Sequence, residues 1–385
     1  MQLECSLPFD PVAPSDFEIV PAKPAVFAIF PDEPTSQPYL SRTQDLRRRL
    51  KRLLGSPEAV SRRLNLREVA RRIEFQCVGS AFEAQWLLYL LNRFYNPRHF
   101  RRRLRLRMPA LVKLNLANRF PRCLFTQRMR LDGSRYYGPF PSRAAAERFM
   151  GEFLDLFKIR RCSPDLDPDP AHPGCIYSQM HMCLAPCFKG CTDEEYQQEV
   201  ARVVSFLDSD GEIFLKELEA ERDAASERLD FEHAAGTHRR VEKARQALRQ
   251  RPSLVREISS LHAVLVLPGA APKSVTFFLV TGGELRGPAR LALEENVSAP
   301  VSLDQQFQHA LSSLTADDAA RSARLPPWEH LSVLARWHYS SFRAGELVML
   351  PESKEIPHAR LIRLCRKILA GSVNERPPEP QVPQL

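Results

Sequence analysis

The sequence contains no apolar run long enough to cross a membrane, so a membrane-spanning helix is not expected. Its first ten residues, M-Q-L-E-C-S-L-P-F-D, contain no basic segment followed by an apolar core, so no secretory signal peptide is expected either. These two absences predict a soluble, cytoplasmic protein in a reducing compartment. Most of the nine cysteines are therefore expected to be thiols or metal ligands, with disulfides as the less favoured alternative.

Short C-x2-C pairs are also missing, although four cysteines are concentrated in one segment rich in proline and glycine. Cys162, Cys175, Cys183 and Cys187 have the spacing C-x12-C-x7-C-x3-C. The segment has too few contiguous apolar residues to pack by itself, and four thiolates on one inorganic centre would hold it. A zinc ribbon usually has two C-x2-C knuckles, so an iron–sulfur cluster is favoured and zinc is the alternative.

The other cysteines are less favoured as metal ligands. Cys191 lies close to the four and is the main competing ligand. We interpret the scattered ones, Cys5, Cys77, Cys123 and Cys365, as ordinary small buried or half-buried residues.

Positive charge is concentrated in the first third of the chain. The whole sequence has a formal net charge of +9, and residues 42–107 contain eighteen Lys or Arg against five Asp or Glu. Nucleic acid is the default partner of such a surface, and a merely solvated helix face is the alternative. Within 101–108, three arginines alternate with apolar residues, which predicts a strand with all three on one face. The candidate DNA-binding residues are Arg47, Arg48, Arg49, Lys51, Arg52, Arg103, Arg105 and Arg107.

Changes of pattern along the 385 residues predict an α/β protein of several domains. Strands are expected at Val26–Phe30 and from Tyr39, and a helix from Thr43. Helices capped by Ser80 and Ser142 follow. The predicted parts are a flexible leader (1–22), a small α/β domain (23–100), a basic strand and helix connector (101–160), a cysteine-rich segment (161–192), a helical hairpin (193–252), an α/β domain with three strands and two helices (253–372) and a disordered tail (373–385).

In this order of parts the chain resembles the C subunits of the bacterial UvrABC excinuclease, the nuclease of nucleotide excision repair. The resemblance runs from about Pro24 to about Gly371 and has four features in family order. They are P-A-V-F…Y-L-S…L-R-R-R-L, similar to the opening of a GIY-YIG nuclease; R-Y-Y-G-P-F-P-S followed by K-I-R-R-C; the four-cysteine spacing, similar to 4Fe-4S ligands; and L-D-F-E-H-A-A, similar to the UVR motif. The resemblance implies that the C-terminal domain is truncated before the family's RNase H-like nuclease and helix-hairpin-helix repeats.

The resemblance also implies that the GIY-YIG site is degenerate. In that family two tyrosines, an arginine and a metal-binding glutamate surround the scissile phosphate. The matching positions here are Phe27, Tyr39, Arg49 and Leu88, so one hydroxyl and the metal carboxylate are missing. Glu83 matches only an earlier acid of the family and lies about 140° round the helix from Leu88. We predict no intact catalytic or divalent-metal site, with Tyr39 and Arg49 as remnants.

The hairpin implies a protein partner. In the family the UVR motif docks on the helicase subunit UvrB, and the matching residues are Phe231, Ala234 and Ala235, with Phe231 expected to close the hairpin. The family commonly continues A-A-R-L-R-D, whereas this sequence has A-A-G-T-H-R. Gly236 inside a helix costs on the order of 1 kcal/mol, and Thr237 replaces an apolar contact.

Three functional hypotheses follow. The favoured one is a DNA-binding relative of the excinuclease subunit that carries an iron–sulfur cluster and lacks nuclease activity. The second is an active GIY-YIG-type endonuclease with a rearranged site. The third is an adaptor that binds UvrB or another repair factor while its basic surface is incidental.

Overall fold

A computed structural model describes residues 1–12, 17–33, 36–56, 64–163, 166–292, 303–315, 327–351, 353 and 355–370. The chain forms two compact units. The first comprises 1–107, 262–322 and 340–385, and the second comprises 108–261 and 323–339. This grouping differs from the predicted series of domains, because distant parts of the sequence share a unit. The predicted disordered tail, 373–385, lies outside the described residues.

The amino-terminal part of the first unit is a four-stranded antiparallel sheet in the order β1-β4-β2-β3. The strands are β1 (Cys5–Pro8), β2 (Ala25–Pro31), β3 (Tyr39–Thr43) and β4 (Ala70–Cys77), and the helices are α1 (Leu46–Leu54) and α2 (Ala81–Tyr95). Alternate residues of β2 enter two apolar clusters, one with α1 and the other with α2. Asp45 and Ser80 cap the two helices by accepting hydrogen bonds from backbone amides. The helices and strands predicted here are confirmed.

The amino-terminal residues differ from the predicted flexible leader. Strand β1 pairs with β4, with Cys5 opposite Phe75. Phe17 and Val20 are buried in the cluster that α1 covers. The sequence of this proline-rich segment gave no indication that it would form a strand. The hydrogen bonds of β1 come from β4, a strand more than sixty residues away.

The strand predicted through Arg103, Arg105 and Arg107 does not form. Helix α3 (Phe100–Arg103) occupies its first half, Arg105 has a left-handed backbone with φ of 49°, and the next strand begins only at Ala110. The backbone amides of Leu104 and Leu106 donate to carbonyls four and five residues earlier, so these hydrogen bonds are made within the segment. A period of two indicates a strand only where a neighbouring strand supplies hydrogen bonds.

A second antiparallel sheet lies in the carboxyl-terminal part of the first unit, in the order β11-β10-β9-β12. Its elements are β9 (Ala263–Pro268), β10 (Ser274–Thr281), β11 (Glu284–Ala292) and β12 (Glu346–Met349), with helices α9 (Leu303–Thr315) and α11 (His358–Leu369). The three strands predicted after Leu261 and the helix from Leu303 are confirmed. Helix α2 packs on this sheet: the indole of Trp86 donates to the carbonyl of Gly287 at 3.1 Å, and the rings of Phe82 and Phe278 meet edge to face.

The second unit contains a third antiparallel sheet, in the order β6-β5-β7-β8. Its strands are β5 (Ala110–Leu114), β6 (Cys123–Thr126), β7 (Arg135–Phe140) and β8 (Arg256–Glu257), and its helices are α4 (Arg143–Leu154), α5 (Ile176–Gln179), α6 (Asp193–Asp208), α7 (Glu212–Glu227), α8 (Phe231–Arg249) and α10 (Trp328–His338). One core joins the sheet to α4, α6, α7 and α8 and includes Phe149, Phe153, Phe157, Phe206 and Phe214. Ser142 caps α4 as predicted, and Thr192 caps α6. No helix in the described part of the chain is long and apolar enough to cross a membrane.

Candidate metal centre and nucleic-acid surface

The second unit brings the four clustered cysteines to one cavity. Cys162 follows the buried pair Ile159 and Arg160, and Cys175 caps α5. Cys183 and Cys187 come from a tight turn that ends in a single turn of 3-10 helix, Pro186–Phe188. The remaining lining residues are Arg160, Arg161, Leu166, Tyr177, Ser178 and Pro186.

The backbone around these cysteines is strained. His181, Ala185 and Lys189 have left-handed φ values of 55°, 57° and 60°. Non-glycine residues in that conformation cost roughly 1–2 kcal/mol each. Only a few backbone hydrogen bonds tie the turn to the rest of the unit, among them Leu184 N to the carbonyl of Lys158 at 3.0 Å. A strained turn with so few ties needs a further source of stability, and a group bound by the thiols would supply it.

Burial and mutual repulsion disfavour thiolates in this cavity unless positive charge is bound among them. Burial raises the pKa of the Cys183 thiol to about 11, and the neighbouring Cys162, Cys175 and Cys187 add to the rise. The Ala185 amide opposes it by donating to the Cys183 sulfur at 3.3 Å. Four thiolates this close together therefore require positive charge among them. Over the described residues, no three His, Cys, Asp or Glu side chains are grouped so as to hold a single metal ion.

Cys191 lies on a different cavity from the other four. Its neighbours there include Arg119, Asp167 and Glu195. Burial, followed by the charges of Glu195 and Asp193, raises the pKa of its thiol. The structure thus places Cys191 on a cavity that the other four do not line, although Cys187 is near enough to add to the rise in its pKa.

The first unit brings together two remnants of the nuclease-like site. The Arg49 guanidinium donates to the Tyr39 hydroxyl at 3.1 Å, and the Phe27 ring lies 6.2 Å from the Tyr39 ring. The Arg49 Nε is buried, and among the described residues it finds no hydrogen-bond acceptor. Leu88, by contrast, packs in the apolar cluster between α2 and the opposite face of the sheet. Where the resemblance places a metal carboxylate, the structure therefore has an apolar contact.

Glu83 is committed to a structural role. Its side chain is only 1% exposed, and its carboxylate accepts from Arg290 of β11 at 2.9 Å and from the Gly79 amide at 3.0 Å. Arg290 also forms an ion pair with Glu4. A carboxylate buried and bonded in this way does not present free oxygen atoms to a metal ion at the Tyr39–Arg49 site.

Two of the predicted DNA-binding residues on α1 form ion pairs with Glu18, which the sequence alone did not indicate. Arg47 and Lys51 bind the carboxylate of Glu18 at 2.8 and 2.7 Å. The hydrogen bond from Lys51 and the positive charge of Arg47 lower the pKa of Glu18. Phe17 and Val20 anchor Glu18 in place on either side. Arg48 and Arg52 are exposed on the same helix.

We expect Glu18→Gln to strengthen binding of the protein to duplex DNA. The substitution removes the charge that neutralises Arg47 and Lys51 and leaves Phe17 and Val20 to hold the segment. Up to two additional phosphate contacts would steepen the log–log salt dependence of affinity by about two units. Fluorescence anisotropy over a salt series measures this. Glu33→Gln, an equal change of net charge at an exposed position, is the matched control, and an equal gain in both variants would show that only net charge matters.

The basic segment after α2 is richer in exposed arginine than predicted. Although it is not a strand, its predicted members Arg103, Arg105 and Arg107 are all exposed. Three more exposed arginines accompany them, Arg98, Arg101 and Arg102. We call residues 98–107 the arginine segment. Phe100 and Leu106 are buried and fix it to the first unit.

The predicted hairpin forms from α7 and α8, with Asp230 capping α8. Phe231 is 66% exposed and does not close the hairpin as expected, whereas Ala225, Ala234 and Thr237 are buried on the two helices. Ala234 is therefore buried and does not lie on the surface, whereas Ala235 does. Thr237 and His233 both contact the carboxylate of Glu221, and Leu229 adds a second exposed apolar side chain at the tip.

Comparison with known proteins places the cysteine cavity within a recognised domain. Residues 110–206 match the family described as UvrC/Cho excinuclease, middle domain. UvrABC system protein C of Carboxydothermus hydrogenoformans is 31% identical over 217 residues, which are 56% of this chain and 35% of that protein. The protein of the same name from Paenarthrobacter aurescens is 25% identical over 315 residues, 80% of this chain and 46% of that protein. No solved structure matches the chain.

The second unit thus contains a middle domain of the excinuclease type, and the four cysteines lie inside it. The chain is a UvrC-like protein, as the order of its motifs predicted. Its matches cover less than half the length of these curated relatives.

Proposed function

We propose that this chain is a cytoplasmic, DNA-binding relative of the excinuclease C subunit, that it acts in nucleotide excision repair, and that it carries a 4Fe-4S cluster without cutting DNA. The observation that carries the proposal is the convergence of Cys162, Cys175, Cys183 and Cys187 on one cavity within the matched middle domain.

The donor set fits a cluster better than a single zinc ion. Four thiolates are ligands for either centre. Each thiolate of a 4Fe-4S cluster binds a different iron, so the sulfur atoms lie farther apart than they do around one ion. The sequence also lacks the two C-x2-C knuckles typical of a structural zinc, which favours the cluster. When bound, such a cluster would clamp the strained turn and exchange electrons. Iron and acid-labile sulfide in anaerobically purified protein test this assignment, and stoichiometric zinc without iron would reject it.

DNA binding is proposed for two surfaces of the first unit. They are the arginine segment and the exposed arginines of α1, Arg48 and Arg52. Arg47 and Lys51 add to the second surface only when Glu18 is displaced. Arginine contacts phosphate oxygens without reading bases, so this binding should be sensitive to salt and nearly independent of sequence.

The proposed absence of cleavage rests on the geometry around Tyr39 and Arg49. Without a carboxylate, a divalent metal has no anchor beside the phosphate, and metal-assisted attack loses its main stabilisation. Arg49, with its buried Nε, and Tyr39 would then act as a pocket that holds a phosphate. The alternative, an active endonuclease with a rearranged site, requires a carboxylate other than Glu83, which Arg290 already binds.

We therefore expect no nicking of supercoiled or lesion-containing duplex by the purified protein in Mg²⁺ or Mn²⁺. Gel analysis against a DNA-only control measures this. Nicking that disappears in both Tyr39→Phe and Arg49→Ala would show that the degenerate site is catalytic. Nicking that survives both changes would place an activity elsewhere in the chain.

A protein partner is the second candidate function, because two large apolar side chains are exposed at the hairpin tip. Leu229 and Phe231 are 71% and 66% exposed. Their position agrees with docking on UvrB, which the UVR-like motif implies. Calorimetric titration of purified UvrB, with Phe231→Ala as the variant, tests this: binding that is unchanged in the variant would exclude the tip as the contact.

A further inference from the structure

A fully buried arginine lies beside the thiols of the candidate metal centre. The Arg160 side chain is only 1% exposed, lines the same cavity as the four cysteines, and places Nη1 3.9 Å from the sulfur of Cys162. Of the side chains that are almost completely buried, it is the largest. Charged side chains are seldom buried unless they are paired, so the groups around Arg160 determine its role.

Arg160 is held from two parts of the second unit. Its backbone amide donates to the Tyr196 hydroxyl at 2.8 Å, and that hydroxyl donates to the carbonyl of Pro121 at 2.8 Å. Its Nε donates to the carbonyl of Phe120 at 3.0 Å. The β5–β6 connection and helix α6 therefore determine where the guanidinium lies, and it points to the cysteine cavity without depending on the strained turn.

The guanidinium end that faces the cavity meets a candidate ligand sulfur. Removing a guanidinium from water costs several kcal/mol unless negative charge or hydrogen-bond acceptors compensate for it. The Phe120 carbonyl compensates at Nε, and at Nη1 a thiolate accepts more strongly than a neutral thiol, whose sulfur is a weak acceptor. Four thiolates around an iron–sulfur core carry net negative charge, and a guanidinium within hydrogen-bond range of one sulfur offsets part of it.

We propose that Arg160 sets the reduction potential of the cluster bound at Cys162, Cys175, Cys183 and Cys187. The inference rests on the proposed cluster. Reduction adds one electron and hence one negative charge to the cluster. A fixed positive charge next to a ligand sulfur stabilises the reduced state more than the oxidised state and so raises the potential. Arg160 acts through the cluster and is not a ligand.

Arg161 provides a matched control. It is the next residue, lines the same cavity and has the same charge. Its guanidinium is bound by Asp155 at 2.8 Å and by the carbonyl of Leu154 at 2.6 Å, so its charge is already compensated outside the cavity. Neutralising Arg161 should therefore shift the potential much less than neutralising Arg160.

The experiment uses the full chain, purified without oxygen, in three variants: Arg160→Met, Arg160→Lys and Arg161→Met. Iron and sulfide content are measured first, and the midpoint potential is then measured by a redox titration followed by electron paramagnetic resonance. We expect a more negative potential in Arg160→Met, a value between it and the unsubstituted protein in Arg160→Lys, and little change in Arg161→Met.

The possible results distinguish the role of Arg160 from the presence of the cluster. Absence of iron from the unsubstituted protein would refute the cluster, whatever Arg160 does. A cluster in Arg160→Met with an unchanged potential would overturn the role of Arg160 alone. If Arg160→Met takes up no iron, Arg160→Lys decides: retention of the cluster with lysine supports the need for charge, and its loss in both variants would make Arg160 merely structural.

Discussion

Cys183→Ser is expected to destabilise the proposed 4Fe-4S cluster and to lower the thermal stability of the second unit. A serine oxygen is a poorer ligand for cluster iron than a thiolate, so one iron becomes open to loss. The turn that contains left-handed Ala185 would then lose the group that compensates for its strain. Binding free energy at such a site is also folding free energy, so the unfolding midpoint should fall by on the order of 10 °C.

Cys191→Ser is the matched control for this loss. It makes the same chemical change only a few residues away, but Cys191 lines a different cavity. Its iron content, sulfide content and unfolding midpoint should match those of the unsubstituted protein. Absorbance in the thiolate-to-iron charge-transfer bands measures the cluster content. Calorimetry measures the unfolding midpoint. If Cys191→Ser loses iron while Cys183→Ser keeps it, the ligand set is wrong.

Replacing Arg103, Arg105 and Arg107 together by glutamine should produce the largest fall in DNA affinity. All three are exposed in the arginine segment, and glutamine keeps their length while removing their charge. Each lost phosphate contact flattens the slope of log affinity against log salt by roughly one unit, so the triple variant should lose about three. Stability should change little, because the anchors Phe100 and Leu106 are untouched.

The matched control for the triple variant removes three exposed arginines from the second unit. Arg228, Arg239 and Arg249 lie on the hairpin, and their replacement by glutamine changes net charge equally. Anisotropy titrations at several salt concentrations compare the two variants. Equal losses in both would mean that DNA responds to overall charge, and full affinity in the arginine-segment variant would favour the adaptor hypothesis.

Several features of this protein could be read from the sequence, because they depend on neighbouring residues. Apolar residues three and four apart predicted α1, and polar caps at Ser80 and Ser142 predicted where two helices begin. The hairpin of α7 and α8 has the same local origin. The order of motifs was likewise sufficient to predict a UvrC-like chain, which the comparisons show.

Other features were decided only by tertiary structure, because they depend on partners far away in the sequence. The alternating arginines do not form a strand, since no neighbouring strand pairs with them, whereas Cys5–Pro8 does form one because β4 is available. The spacing of the cysteines predicted a common centre but did not separate Cys191 from the other four.

The charged residues show most clearly which features the sequence determines and which depend on tertiary structure. Sequence alone determined how many cations this chain has and where they are concentrated. Only the folded structure determined that Glu18 neutralises two of them, that Arg290 binds Glu83, and that Arg160 is buried beside Cys162. The physical reason is that the effect of a charge depends on its solvent exposure and its nearest counter-charge, and both are set by contacts between residues that are distant in the chain.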